Sequence, residues 1–202
     1  IFEPGLSSII KKCRGRNLFF STKIKEKISF ADIVFISVNT PTKKKGLGAG
    51  QASDLKWVEA CARQVAEFSN NHTIVVEKST LPVKTAEVIK NILESTNFEK
   101  EGSTNATFDV LSNPEFLSEG SAVQDLMKPD RVLIGGEEQS AINSLAEIYS
   151  NEKNYKIYGI VRRNSCIFNF QRIDHIKDKL ILKYGDLTDG SSITKIINEI
   201  IP

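Results

Sequence analysis

The stretch Ala31-Asp32-Ile33-Val34-Phe35-Ile36-Ser37-Val38-Asn39-Thr40-Pro41-Thr42 carries the fold in miniature. Its Ile33-Val34-Phe35-Ile36 centre is apolar and β-branched without alternation, which reads as a strand buried on both faces, the pattern of a parallel sheet. Its last residues are small and polar, a loop leaving the carboxyl end of that strand. Working outward, Ser53 opens a helix in which Leu55, Val58, Ala62, Val65 and Ala66 recur at helical spacing. Residues 72–77 read as the next strand, stopped by Lys78-Ser79-Thr80-Leu81-Pro82. Pro82 is expected in the first turn of a helix, where its missing N–H costs nothing, with Ala86, Ile89 and Leu93 as the buried stripe. Residues 94–107 read as a polar surface excursion, 108–111 as a third short strand, 131–136 as a fourth and 139–149 as a helix.

Strands alternating with amphipathic helices imply βαβ units. The fold class is α/β: an incomplete Rossmann-like, mostly parallel sheet with flanking helices, followed by a second partial Rossmann-like segment. Residues 1–150 carry 18 basic and 19 acidic residues, whereas 151–202 carry 9 and 6. The tail also restarts the pattern, with strands at 156–161 and 180–184 and a helix at 191–200. A boundary is therefore expected at 150–154.

Composition narrows the function classes. With 40% hydrophobic and 26% charged residues the 202-residue chain is globular. A formal net charge of +2 gives no reason to expect a nucleic-acid or membrane surface. Apolar runs are far shorter than the roughly 20 residues that span a bilayer. Cys13, Cys61 and Cys166 are odd in number and widely spaced, which argues against a disulfide scaffold or a zinc site and for a reducing, cytoplasmic setting. The single methionine is Met127, so the sequence is expected to be a processed chain or a fragment.

Parallel sheets bind ligands at the carboxyl ends of their strands, so three loops come forward. Val38-Asn39-Thr40-Pro41-Thr42 is either a dinucleotide-facing loop or an ordinary turn. In Lys78-Ser79-Thr80, a hydroxyl either caps the next helix or, at Thr80, orients a water. Glu115 and Glu119 would share a face if a helix starts there, as a general base or as holders of sugar hydroxyls; the plainer alternative is a charged first turn. Gly46-Leu47-Gly48-Ala49-Gly50 lacks the spacing and the preceding strand of a phosphate loop and reads as a flexible loop. His72, His175 and Cys61 find no catalytic partners and read as structural.

Taken with Glu3-Pro4-Gly5-Leu6, Ala52-Ser53-Asp54-Leu55, Glu77-Lys78-Ser79-Thr80, the run Ser112-Asn113-Pro114-Glu115-Phe116-Leu117-Ser118-Glu119-Gly120 and Pro129-Asp130-Arg131-Val132-Leu133-Ile134-Gly135-Gly136, these loops resemble the UDP-glucose 6-dehydrogenase family over residues 1–149. The resemblance implies part of an NAD-binding domain from an enzyme that oxidises UDP-glucose to UDP-glucuronate by two hydride transfers through a cysteine thioester. It implies that Val38, Asn39, Thr40, Pro41, Thr42, Ser79, Thr80 and Glu119 lie along NAD. It implies too that Glu115 and Thr80 assist hydrolysis, and that Phe116, Leu117, Ser118 and Glu119 contact the sugar nucleotide. The family's glycine-rich turn, its ribose-binding acid and its cysteine motif are not matched in residues 1–149, and the expectation is a chain inactive by itself. An alternative role is a non-catalytic one, in association with full-length homologous subunits.

The tail, residues 154–202, resembles GDP-mannose 4,6-dehydratase through Tyr155-Lys156-Ile157-Tyr158-Gly159-Ile160-Val161-Arg162-Arg163-Asn164-Ser165 and Tyr184-Gly185-Asp186-Leu187-Thr188-Asp189. That resemblance implies NADP, with Arg162, Arg163, Asn164 and Ser165 at the adenosine 2′-phosphate and Asp186 and Leu187 by the adenine. Its first strand is also expected to be able to extend the sheet of the first segment.

Overall fold

A computed structural model describes residues 2–82, 84–98, 106–129, 131–150, 157–161, 180–184 and 190–200. The chain divides into two compact units, residues 1–145 and 146–202.

In the first unit three strands, β1 (Ile33–Ile36), β2 (Thr73–Glu77) and β3 (Phe108–Ser112), form a parallel sheet in the order β1-β2-β3. Helix α1 (Leu6–Cys13) and the short α2 (Ile24–Ile28) precede the sheet. Helices α3 (Lys56–Phe68) and α4 (Thr85–Phe98) connect the strands, α5 (Ala122–Met127) follows β3, and α6 (Gln139–Ser150) begins in this unit. The central strand β2 is buried at every position, as its unbroken Thr-Ile-Val-Val-Glu run demands. On β1, Ile36 is buried but Phe35 is 42% exposed, so the expectation of burial on both faces fails there. The cause is position: among the described residues β1 is paired on one side only, with β2.

The core lies between sheet and helices. Val58, Ala62, Val65 and Ala66 of α3 and Ile89, Ile92 and Leu93 of α4 pack with Ile36 and Val75, the helical stripe meeting one face of the sheet as the 3.6-residue period requires.

Several boundaries differ from the sequence reading. Helix α3 starts at Lys56 rather than Ser53, because Asp54 is held in the preceding turn: its N–H donates to the Pro41 carbonyl at 2.7 Å and its Oδ1 accepts from the Lys56 N–H at 3.2 Å. Pro82 precedes α4 rather than entering it, and both the N–H and the hydroxyl of Thr85 donate to the Pro82 carbonyl. The expected strand at 131–136 reduces to one antiparallel bridge between Ser112 and Gly135. There the chain comes so near β3 that a Cβ on Gly136 would collide with the Leu111 side chain. The glycine run 46–50 is a closed turn, cinched by Lys43 N–H to the Ala52 carbonyl at 2.7 Å and Gly50 N–H to the Lys43 carbonyl at 2.9 Å. Helices α1, α2 and α5 were not anticipated; each is eight residues or fewer and too short for periodicity to register.

In the second unit β4 (Ile157–Val161) and β5 (Leu180–Tyr184) pair in parallel as a two-stranded sheet, followed by α7 (Gly190–Ile200). Ile196 of α7 is buried, and Lys183 Nζ meets Glu199 Oε2 at 3.0 Å. The tail strand thus pairs with β5, and among the described strands the expectation that it could extend the first sheet is not met. Among the described residues no helix is long and apolar enough to cross a membrane.

Candidate functional site

Register builds the site. Ile36 pairs with Glu77, and Glu77 with Ser112, so all three strands of the first sheet end level. The loops that begin at residues 37, 78 and 113 therefore leave from one edge, where a parallel sheet presents its ligand crevice.

Backbone and hydroxyl bonds stitch the loops together. Lys78 N–H donates to the Ile36 carbonyl at 3.0 Å and Asn113 N–H to the Glu77 carbonyl at 2.9 Å. The Ser79 hydroxyl donates to the Val38 carbonyl at 2.8 Å, and the Thr40 hydroxyl to the Thr80 carbonyl at 3.2 Å. The capping alternative for Ser79 and Thr80 is thereby excluded, since α4 begins only at Thr85 and the Ser79 hydroxyl points across to the first loop.

Asn113 is the pivot of the edge. It is fully buried. Its Oδ1 accepts from Lys78 Nζ at 3.3 Å, and its Nδ2 donates to the Leu133 carbonyl at 2.7 Å. One carboxamide thus links the ends of β2 and β3 to the 131–136 segment, which Ser112 and Gly135 secure by two reciprocal 2.8 Å backbone bonds. Lys78 is half-buried. Loss of hydration pulls its ammonium below the ordinary lysine range, while the nearby Glu115 carboxylate pulls the other way. Beneath it Glu77 is only 5% exposed, and burial pushes its carboxyl above the ordinary range, with a hydrogen bond from Ser112 opposing.

Glu115, Phe116 and Glu119 are exposed at this edge, and Leu117 is half-exposed. The condition attached to the two carboxylates fails: residues 113–118 are not helical, and α5 starts only at Ala122. Glu115 sits instead on irregular backbone and Glu119 in the turn that precedes α5. The Arg131 guanidinium stacks over Phe116, 4.3 Å from the ring centroid.

The structure brings together Val38, Asn39, Thr40, Pro41, Thr42, Ser79, Thr80, Glu115, Phe116, Leu117, Ser118 and Glu119 in loops of one edge. Arg162, Arg163, Asn164, Ser165, Asp186 and Leu187 lie outside the described residues, as do Asp130, Cys166 and His175. His72 is at the opposite edge, where its ring bonds Thr107 Oγ1 at 2.8 Å and approaches Asp109 Oδ2 at 3.2 Å. Residue type alone does not mark Lys78 and Asn113 as site residues; the signal both carry in the sequence is a position directly after a strand end.

A family description, UDP-glucose/GDP-mannose dehydrogenase family, NAD binding domain, matches residues 1–153. The chain is 54% identical over 155 residues to UDP-glucose 6-dehydrogenase 5 of Oryza sativa subsp. japonica, covering 75% of this chain and 31% of that one. It is 53% identical over 155 residues to mouse UDP-glucose 6-dehydrogenase, covering 75% of this chain and 30% of that one. The chain thus spans about a third of the length of these relatives. A solved UDP-glucose dehydrogenase from Pyrobaculum islandicum superposes with a TM-score of 0.61 at 33% identity, over 74% of this chain and 33% of that one. A GDP-mannose dehydrogenase from Pseudomonas aeruginosa gives a TM-score of 0.64 at 23% identity, over 99% of this chain and 39% of that one, a likeness of fold.

Two outcomes follow from the edge. Asn113→Ala removes a buried acceptor from Lys78 and a donor from the Leu133 carbonyl, and urea unfolding is expected to show a loss of about 2–4 kcal/mol. Glu77 holds its proton more tightly folded than unfolded, so stability falls as pH rises through the window above the ordinary carboxyl range. Glu77→Gln removes that penalty: its melting temperature is expected to exceed the parent's by about 2–4 °C at pH 8, with the gap closing towards pH 4.

Proposed function

The chain belongs to the UDP-glucose/GDP-mannose dehydrogenase family, and from that premise we propose that the carboxyl edge of its first sheet is the NAD-facing part of a UDP-glucose 6-dehydrogenase. The observation that carries this reading is the level ending of β1, β2 and β3, which delivers three family motifs to one crevice. The residues present fit the flank of a dinucleotide. Thr40, Ser79 and Thr80 supply hydroxyls and backbone polar groups, held in place by the Ser79–Val38 and Thr40–Thr80 bonds. Among the described residues no glycine-rich turn joins a strand directly to a helix, so this edge supplies the flank of the cofactor site rather than its pyrophosphate cradle.

In this reading residues 38–42, Ser79, Thr80 and Glu119 lie along NAD, which when bound accepts hydride. Glu115 and Thr80 serve the hydrolytic step: the carboxylate takes a proton from water and the hydroxyl orients it. Phe116, Leu117, Ser118 and Glu119 contact UDP-glucose. Lys78 stands near Glu115, whose carboxylate opposes the dehydration that pulls the Lys78 ammonium below its ordinary range. Complete turnover also needs the thioester-forming cysteine, and none of Cys13, Cys61 and Cys166 stands in the family's cysteine motif; the chain is therefore proposed as a binding module inactive by itself.

For the tail, the parallel pairing of β4 with β5 supports a βαβ reading. Val161 and Tyr184 are register partners, and the segments 162–165 and 185–187 follow them in sequence. NADP binding through Arg162 and Arg163, as in a GDP-mannose 4,6-dehydratase, is the corresponding proposal.

Calorimetric titration of the chain with NAD and NADP, with and without UDP-glucose, tests both. Saturable NAD binding with Kd below about 1 mM is expected, tightened by UDP-glucose, and Glu115→Gln is expected to leave the NAD affinity within about twofold. NADP binding abolished by Arg162→Ala with Arg163→Ala would support the tail reading. No NAD binding up to several millimolar would overturn the first.

A further inference from the structure

The geometry points to Glu3 as a positioning residue for the 115–120 loop, its carboxylate holding from outside the turn that presents Phe116, Ser118 and Glu119 to the sugar nucleotide. This rests on the function proposed above. Glu3 is half-buried. Its Oε2 accepts the Gly120 N–H at 3.0 Å across 117 residues of sequence, and its Oε1 accepts the Val123 N–H at 3.4 Å. Both oxygens of one carboxylate are thus committed to one turn, on either side of Ser121. Hydrogen bonds to an ionised acceptor are about twice as strong as neutral ones, and a bidentate grip fixes orientation as well as distance.

The segment that carries Glu3 is itself held. The Glu3 carbonyl accepts from Leu6 N–H at 3.3 Å, and the Ser8 hydroxyl donates to the Gly5 carbonyl at 2.7 Å, so Glu3 sits at the root of α1. Gly5 adopts φ 82°, which lets the chain enter α1 sharply, and its missing Cβ would lie 3.8 Å from Val123 Cγ1. Glu3 and Gly5 therefore both meet the same turn.

Among the described residues the turn's other hydrogen bonds are local, and Arg131 over the Phe116 ring is a second tie to the loop. Asp125 Oδ2 accepts from Ser118 N–H and from the Ser121 hydroxyl, both at 2.9 Å, and Ser121 N–H donates to the Ser118 carbonyl at 3.2 Å. These shape the turn; the Glu3 bonds fix where it stands against α1. The distinction matters because residues 113–118 are not helical and carry no helical ladder to hold them. Gly120 is the residue next to Glu119, so a shift of its N–H moves the peptide that bears the proposed ligand contacts.

Amide exchange by NMR, combined with NAD and UDP-glucose titrations of the chain, tests the role in Glu3→Ala and Glu3→Gln. In Glu3→Ala the Gly120 and Val123 amides are expected to exchange at least tenfold faster, and UDP-glucose affinity, measured with NAD present, to fall about tenfold, while NAD affinity falls no more than about twofold, because Glu119 is the one residue of this turn placed along NAD and residues 38–42, Ser79 and Thr80 are untouched. Glu3→Gln retains one carbonyl acceptor but neither the charge nor the second acceptor, and is expected to recover only part of both effects. Unchanged exchange at Gly120 and Val123 would overturn the brace while leaving the NAD-edge reading intact. Faster exchange with UDP-glucose and NAD affinities falling equally, or not at all, would overturn the positioning role. A parent chain that binds no UDP-glucose would overturn the substrate reading itself, and the positioning role with it.

Discussion

Everything at the proposed site depends on the alignment of three strand ends, Ile36 with Glu77 and Glu77 with Ser112. A slip of one residue in either pairing would turn every side chain of the slipped strand to the other face of the sheet, breaking the packing of Ile36 and Val75 with α3 and α4. The hydrophobic cost that enforces the register thus also places the loops. Val75 and Val76, both fully buried, hold β2 against its neighbours, and the chemistry-bearing residues are carried to the edge as a consequence.

At that edge burial and charge work against each other. Asn113 is sealed from solvent yet satisfied on both ends of its carboxamide, so it can connect β2, β3 and the 131–136 segment without an unpaired polar atom. Glu77 and Lys78 are adjacent in sequence and both are shifted by dehydration towards their neutral forms. Glu115 opposes that drift for Lys78 from the next loop. Pairs of shifted groups at a crevice mark places where the fold tolerates an energetic penalty for the sake of a site.

The alternation of strand and helix was legible because β1, β2 and the stripes of α3 and α4 are long enough to show their periods. The motif loops were legible by resemblance, and the register confirms that the three of them share an edge. Other features were not legible for identifiable reasons. Residues 132–134 are apolar and β-prone, yet the segment meets β3 only through the Ser112–Gly135 bridge, with Gly136 close against Leu111. The spacing of Glu115 and Glu119 fits a helix, but residues 113–118 are not helical and α5 begins only at Ala122. The bonds of Glu3 to Gly120 and Val123 join residues far apart in sequence, and no local pattern announces them. Lys78 was overlooked because a lysine after a strand looks solvated until the packing around it is seen.

One edge of the first sheet, and not the other, is proposed to receive the dinucleotide. An amide NMR spectrum of the ¹⁵N-labelled chain, recorded as NAD is added, decides between the two. Shifts are expected to gather in residues 37–42, 78–81 and 113–120, with His72, Thr107 and Asp109 at the far edge unmoved. Shifts centred on His72 and Asp109, or scattered over the helices with the three loops silent, would contradict it.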